Sequence, residues 1–319
     1  MKSADTGFDH ESVIAFVHIP KTAGTTLNAI LARAYSPDET CEIMMRGMSL
    51  RVPGVVIVPK RMISHSKIRR LKSALKHRPA PRLIRGHFDL SLGKLLPADT
   101  RFFTLLRDPV ERAVSHYYHY RRQTSDPIHP LAMRSTLTEW VGNCGLVEMD
   151  NGQTRRLAGA MKLPCGRVTP QTLERAKSAL ARNCEVVGLT ERFDESLILL
   201  HRAFDWPLCR LAPHNVGDCR TQHARPSAEE LKTIEACNRY DLELYRFACA
   251  LFDRAVSEID MAGELARLRA APYYVAPKPA DLPPEQASRF DLLAKLKTAR
   301  ALGIRTLKEL RLRAHRVIG

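Results

Sequence analysis

The stretch that most limits how this chain can fold lies near its start. An apolar run over residues 13–19, broken only by His18, predicts a buried strand. Pro20 ends it, because proline cannot donate into a sheet ladder. Then come Lys21, Thr22, Ala23, Gly24, Thr25 and Thr26, followed by Leu27, Ile30 and Leu31 at helical spacing. A strand, a turn of small residues and a helix start aim backbone N–H groups and a positive helix end at one place, which favours an anion. Lys21 adds a mobile charge, and the hydroxyls of Thr22, Thr25 and Thr26 add uncharged donors. The plain alternative is an ordinary βα turn capped by threonine, but such a turn has no need of a lysine and three threonines together.

The stretch is not a standard nucleotide P-loop. That pattern, Gly-x-x-x-x-Gly-Lys-[Ser/Thr], would place glycines where Ala15 and Pro20 stand if Lys21 were its lysine. Here the lysine precedes the glycine, so a phosphate-like group is held in a different register.

Charge narrows the partners. Fifty Lys and Arg against thirty-four Asp and Glu leave +16, a surface that attracts polyanions such as nucleic acid, anionic lipid, or acidic glycan and nucleotide. The excess is local: residues 43–88 hold twelve Lys or Arg and no acid. Within that window, residues 55–58 read as a short strand and residues 68–76 as a basic amphipathic helix. An acidic-substrate face, a nucleic-acid patch and a merely solvated basic helix all fit such a window, and the first is preferred because it ends beside a candidate site histidine. Eight cysteines without a CxxC pair give neither a zinc pattern nor a disulfide framework, which fits reduced thiols. Residues 1–11 are polar, and no run approaches the roughly eighteen apolar residues of a membrane span. A cytoplasmic protein is therefore expected.

Further along, two more strands end in candidate site residues. Leu83 and Ile84 lead to Arg85, Gly86 and then His87, with Gly86 letting the backbone pass close to a ligand. Residues 101–106 form a buried strand running into Arg107, Asp108 and Pro109, and Pro109 suits the first turn of a helix. Arg107 at the strand end and Ser115, two turns along that helix, can converge on one anionic group, for which arginine's planar fork is well shaped. A structural pairing of Arg107 with Asp108 or Glu111 is the bland alternative. The aromatic and histidine-rich segment 116–120 fits either a sugar-bearing acceptor or a buried helix face. Short helices are predicted over 137–141, 153–160 and 171–182, a strand over 185–189 and an amphipathic helix over 191–204. Ser227 caps a long helix reaching about residue 251, with Leu231, Ile234, Leu242, Leu244, Tyr245, Ala248 and Leu251 on its core side. The Pro-rich residues 271–284 read as a linker, and residues 285–319 as a basic helical tail that could touch a membrane surface. Recurring strand–turn–helix units predict an α/β fold with a mainly parallel sheet, and ligands in such folds lie beyond the carboxyl ends of strands.

These residues resemble the sulfotransferases that use 3′-phosphoadenosine 5′-phosphosulfate. Lys21-Thr22-Ala23-Gly24-Thr25-Thr26 looks like their 5′-phosphosulfate loop, and Arg107-Asp108-Pro109 with Ser115 looks like their 3′-phosphate motif. The likeness is nearest to the glycan branch, the heparan sulfate 6-O- and 2-O-sulfotransferases, in which a catalytic histidine between the two motifs matches His87. It covers roughly residues 12–255. The resemblance implies a P-loop-NTPase-like three-layer fold with a central, mainly parallel sheet flanked by helices. It implies a catalytic domain over residues 1–264, followed by the linker and basic tail over 265–319. It further implies that Lys21, Thr22, Ala23, Gly24, Thr25 and Thr26 hold the 5′-phosphosulfate, that Lys21 steadies the leaving phosphate, and that Arg107 and Ser115 bind the 3′-phosphate. His87 becomes the general base, Arg220 and Thr221 lie where the family closes over the nucleotide, and His119 lies where the 6-O branch contacts its sugar. The product would be adenosine 3′,5′-bisphosphate, no metal is required, and the acceptor would be a saccharide or glycolipid, acidic ones included. Two alternatives stand beside this: an ATP-dependent kinase using the Lys21 loop, and a basic nucleic-acid-binding protein, for which no recognisable motif is present.

Overall fold

The computed structural model describes residues 12–36, 38–45, 55–58, 81–143, 145–211 and 225–274. The basic helix expected over 68–76 and most of its window, Arg220 and Thr221, and the tail over 285–319 lie outside them.

Six strands form one sheet in the order β3-β2-β4-β1-β5-β6, and every adjacent pair is parallel. They are β1 (Ile14–Val17), β2 (Thr40–Met45), β3 (Val55–Val58), β4 (Leu83–Gly86), β5 (Arg101–Leu106) and β6 (Cys184–Leu189). Parallel neighbours need crossover connections, and helices supply them. Along β1 the side chains alternate. Ile14 and Phe16 pack with Leu27, Ile30 and Leu31 of α1 (Gly24–Ala34) and with Leu197, Leu200 and Phe204 of α7 (Phe193–Phe204). Ala15 and Val17 face the opposite side, with Cys41, Ile43, Ile84, Phe88 and Leu92. A third cluster joins Leu106 and Leu189 to Leu173, Ala176 and Leu180 of α6 (Pro170–Asn183) and to Leu244, Ala248 and Phe252 of α9 (Arg239–Ser257). Helices on both faces of a parallel sheet make the expected three-layer α/β fold.

Between β5 and α6 lie α2 (Pro109–Arg122), α3 (His129–Arg134), α4 (Leu137–Gly142) and α5 (Gly152–Leu157). The single long helix expected after Ser227 is two, α8 (Ala228–Cys237) and α9. Asn238, fully buried between them, bonds back to Ile234 O, and Asn151 Oδ1 accepts the amides of Tyr240 and Asp241. A buried side chain thus caps a new helix where the apolar spacing alone runs on. Ile234, Leu244 and Ala248 are buried as expected, whereas Leu231 is 36% exposed.

The boundary expected after residue 264 falls inside α10 (Met261–Ala270), whose Met261 and Leu268 are buried with Ile198. Beyond it β8 (Tyr273–Tyr274) pairs in parallel with β7 (Arg210–Leu211), so the packed unit runs on into the stretch expected to be linker. No helix among the described residues is long and apolar enough to cross a membrane.

Candidate active site

The sheet register brings three strand ends together. Val17 lies opposite Gly86 on one side and Thr104 on the other, so the residues leaving β1, β4 and β5 emerge along one edge. These are His18 and the Lys21 turn, His87, and Arg107. They come from segments far apart in sequence and share a site because β1 is central.

The turn after β1 is held in an uncommon backbone shape. Lys21 (φ 70°) and Ala23 (φ 59°) are left-handed without being glycine, a conformation that costs on the order of 1–2 kcal/mol per residue and that folds keep where a ligand needs it. Left-handed residues on either side of Thr22 curl the amides into a concave nest suited to an anion. No side chain among the described residues caps α1, which leaves its first amides suited to an anion. Thr22 departs from the sequence reading: its side chain is fully buried and its hydroxyl donates to Ile19 O at 2.9 Å, closing the turn from within. Thr22 therefore offers the site its amide, and the outward hydroxyls are those of Thr25, which is exposed, and Thr26, which is half-buried.

Gly24 starts α1 for a steric reason. A Cβ there would lie 1.7 Å from His18 Nε2, because the His18 ring fills the space over the glycine. That ring stacks on Phe16 (centroids 5.1 Å apart) and lies tilted by 33° against His87 (4.1 Å). Burial, then the nearby His87, Arg156, Arg85 and Lys21, hold His18 well below the usual imidazole range, so it is neutral. His87 Nδ1 lies 2.9 Å from the carbonyl oxygen of His18. Only a protonated Nδ1 can donate to a carbonyl, so the lone pair of neutral His87 sits on Nε2. His87 is exposed at the end of β4. Gly86 has a different role from the expected one: at φ 149° its missing Cβ makes room for Ile43 O, which would sit 2.0 Å from it, so the close approach is that of β2 and not of a ligand.

Arg107 is fixed by its backbone and loose at its head. Gln153 Oε1 accepts its amide at 3.0 Å and Gln153 Nε2 donates to its carbonyl at 2.9 Å. The guanidinium reaches Lys21 O at 3.4 Å and Glu111 Oε2 at 3.4 Å, both long, while its buried Nε stands 4.0 Å from Glu191 Oε1 and has no hydrogen-bond partner among the described residues. The bland ion pair with Glu111 is thus present but weak, and Asp108 is occupied in capping α2 through the amides of Val110 and Glu111. A strong donor set whose contacts are this long is suited to holding an anion. Ser115, half-buried, lies two turns along α2.

The aromatic stretch after Ser115 divides. His116 and Tyr117 are buried against Trp140, whose Nε1 donates to His116 Nδ1 at 3.2 Å. Burial, then Arg112, Lys21 and His119, keep His116 well below the usual imidazole range. His119 is half-buried with its ring edge-on to Tyr120 at 5.1 Å. Among the described residues no cluster of three or more His, Cys, Asp or Glu could hold a metal.

Three residues escaped the sequence reading as parts of this site. Gln153 and Glu191 grip the Arg107 peptide from distant helices, and nothing local marks them. His18 had a legible signal: it is the polar residue at a central strand end, directly before the anion turn.

The family model described as galactose-3-O-sulfotransferase matches residues 5–277. Heparan-sulfate 6-O-sulfotransferase 2 of Homo sapiens is 26% identical over 292 residues, covering 79% of this chain and 46% of that protein. Its Danio rerio counterpart is 27% identical over 289 residues, covering 79% and 60%. Galactosylceramide sulfotransferase of Homo sapiens is 30% identical over 203 residues, covering 59% and 46%. The chain spans about half the length of the curated relatives it matches. A crystal structure of mouse sulfotransferase SULT7A1 complexed with PAP aligns with 95% of this chain and 89% of its own, at a TM-score of 0.34 and 15% identity.

Proposed function

The chain belongs to the galactose-3-O-sulfotransferase family, and from that premise we propose that it transfers a sulfuryl group from 3′-phosphoadenosine 5′-phosphosulfate to a hydroxyl of a carbohydrate or glycolipid. The observation that carries this reading is the under-satisfied Arg107 guanidinium beside the amide nest of Lys21, with His87 joined to that nest through His18. Two separate anion holders and a base on one sheet edge fit a nucleotide with two anionic ends and a hydroxyl acceptor.

The bound nucleotide would supply the sulfuryl group. The amides of residues 22–26, with the hydroxyls of Thr25 and Thr26, would hold its 5′ end, and Lys21 would offset charge growing on the leaving phosphate oxygen. Arg107 and Ser115 would hold the 3′-phosphate, while Arg220 and Thr221 are assigned by resemblance alone. His87 Nε2 would take the acceptor's proton, and the His18 carbonyl would then steady the imidazolium through Nδ1–H. In-line transfer of this kind asks the protein for positioning and charge stabilisation and for little covalent chemistry. The names of the relatives, heparan sulfate and galactosylceramide enzymes, support a saccharide or glycolipid acceptor. The acid-free basic window 43–88 supports an acidic one, and His119 is a candidate contact for it.

Labelled-sulfate transfer from the activated donor to a panel of saccharides and glycolipids tests the proposal. Sulfation of at least one acceptor is expected, with competition by adenosine 3′,5′-bisphosphate. Phosphate transfer from ATP·Mg²⁺ to the same panel, with no sulfate transfer, would sink it in favour of a kinase.

A further inference from the structure

We propose that Gln153 is the positioning residue that aims Arg107 and so makes the site select nucleotides carrying a 3′-phosphate, an inference that rests on the nucleotide reading above. Arg107 is the first residue beyond β5, so its peptide groups have left the sheet while still lying partly buried. Such groups need partners. Gln153, with no exposed surface, supplies both: one primary amide satisfies the N–H and the C=O of the same residue, as a neighbouring strand would. Both ends of the amide are thus engaged with the one residue.

The Arg107–Asp108 peptide is gripped from its N–H side as well. Glu191 Oε1 accepts the Asp108 amide at 2.9 Å, and its Oε2 accepts from the Tyr245 hydroxyl at 2.7 Å. Gln153 is itself anchored, since Asp241 accepts the amides of Gln153 (3.1 Å) and Thr154 (2.7 Å) at the start of α5. Asp241 and Tyr245 both belong to α9, so one helix braces the Arg107 backbone from two sides. The contrast with the guanidinium, whose contacts are long, is the point. A fixed Cα and an unsatisfied head make an arginine whose direction is set before the phosphate binds, and such preorganisation is spent on the one contact it aims at.

A merely structural Gln153 predicts something different. Its loss would loosen the fold and weaken every nucleotide alike. A positioning role predicts a selective loss at the 3′-phosphate. The test is calorimetric titration of the full chain and its Gln153→Met variant with adenosine 3′,5′-bisphosphate and with adenosine 5′-monophosphate. Methionine keeps the length of the side chain and removes both hydrogen bonds. The ratio of the two affinities should fall by about tenfold or more, while the monophosphate affinity moves by less than about threefold. Equal losses for both nucleotides, or no loss for either, would overturn the inference. Should Gln153→Met fail to unfold cooperatively, Gln153→Asn, one methylene too short to span both groups, is held to the same ratio. A native protein that does not distinguish the two nucleotides refutes the nucleotide reading itself, whereas a discriminating native protein with an unchanged variant refutes only the role of Gln153.

Discussion

The Arg107 guanidinium reaches the backbone carbonyl of Lys21 at 3.4 Å across 86 residues of sequence. Parallel pairing of β5 with β1 makes this meeting unavoidable, because the chain leaves both strands at the same edge. The contact joins the turn after β1 to the strand end of β5, so the two candidate anion-holding elements lie side by side.

Arg107→Ala should weaken adenosine 3′,5′-bisphosphate by roughly 2–4 kcal/mol, the scale of a charge-assisted contact to phosphate. Stability should hardly change, since the ion pair to Glu111 is long and that partner's side chain is 61% exposed. Titration calorimetry and a urea unfolding curve separate the two effects. An affinity unchanged within twofold would remove Arg107 from the site.

His87→Ala should lower transfer by about 10²–10⁴, the range of a lost general base. Bisphosphate binding should stay nearly intact, because the anion holders are the nest and Arg107. Labelled-sulfate transfer and nucleotide titration on the same preparation check this, and a comparable loss in nucleotide affinity would contradict the base assignment.

Gly24→Ala pits two effects against each other. Helix propensity favours alanine by about 1 kcal/mol. The new Cβ, however, would stand 1.7 Å from His18 Nε2, so the ring must turn away from Phe16 and His87. Transfer should fall while the melting temperature stays close to native or drops slightly. Adding His18→Ala removes the clash, so the double variant should regain the propensity gain in stability without regaining activity. A fully active Gly24→Ala would show that the His18 ring has another place to go.

Much of this site was legible because its parts are local. The apolar runs at residues 13–19 and 101–106, each closed by a charged residue or proline, state their strand and its end within a few positions, and a site at strand ends follows from topology. What depends on packing was not legible. Gln153 meets Arg107 from 46 residues away and Glu191 meets Asp108 from 83, contacts with no local signature. The break at Asn238 was hidden because helical spacing runs on through it and the interruption comes from Asn151 on another helix. Thr22 and Gly86 misled in a related way: each is the residue a ligand loop would carry, yet its special property serves Ile19 and Ile43.

Asp241→Ala should cost about 3–5 kcal/mol, as expected when one partner of a buried ion pair is removed. Asp241 is fully buried, and Arg112, also fully buried, reaches it at 3.5 Å. Burial raises the Asp241 carboxyl, while Arg112 and the amides of Thr154 and Gln153 pull it back. Without it Arg112, whose Nε and Nη1 already lack hydrogen-bond partners among the described residues, keeps among them the Glu148 carbonyl at 2.6 Å and the Glu148 carboxylate at 4.0 Å. Urea unfolding measures the loss, and a change below about 1 kcal/mol would mean that the interior takes in water around Arg112.

Acid should destabilise the fold through two histidines. His18 and His116 are both held neutral, each chiefly by burial and then by neighbouring charge, His87 and Arg156 foremost for the first and Arg112 for the second. In the unfolded chain each titrates near the ordinary value of about 6.5. Below that pH the unfolded state binds protons that the folded state refuses, so stability falls as pH drops from about 6.5 towards the depressed folded values, and is flat above about 7.5 as far as these two groups act. The slope is at most about 1.4 kcal/mol per pH unit for each histidine. His116→Gln, which keeps an acceptor for Trp140, should remove one share of that slope, and comparing the variant's unfolding midpoints with the native chain's between pH 8 and pH 5 isolates it from the other titrating groups. A variant with the same slope as the native chain would mean that His116 takes up its proton as readily folded as unfolded, against the burial and the Arg112 charge that hold it neutral.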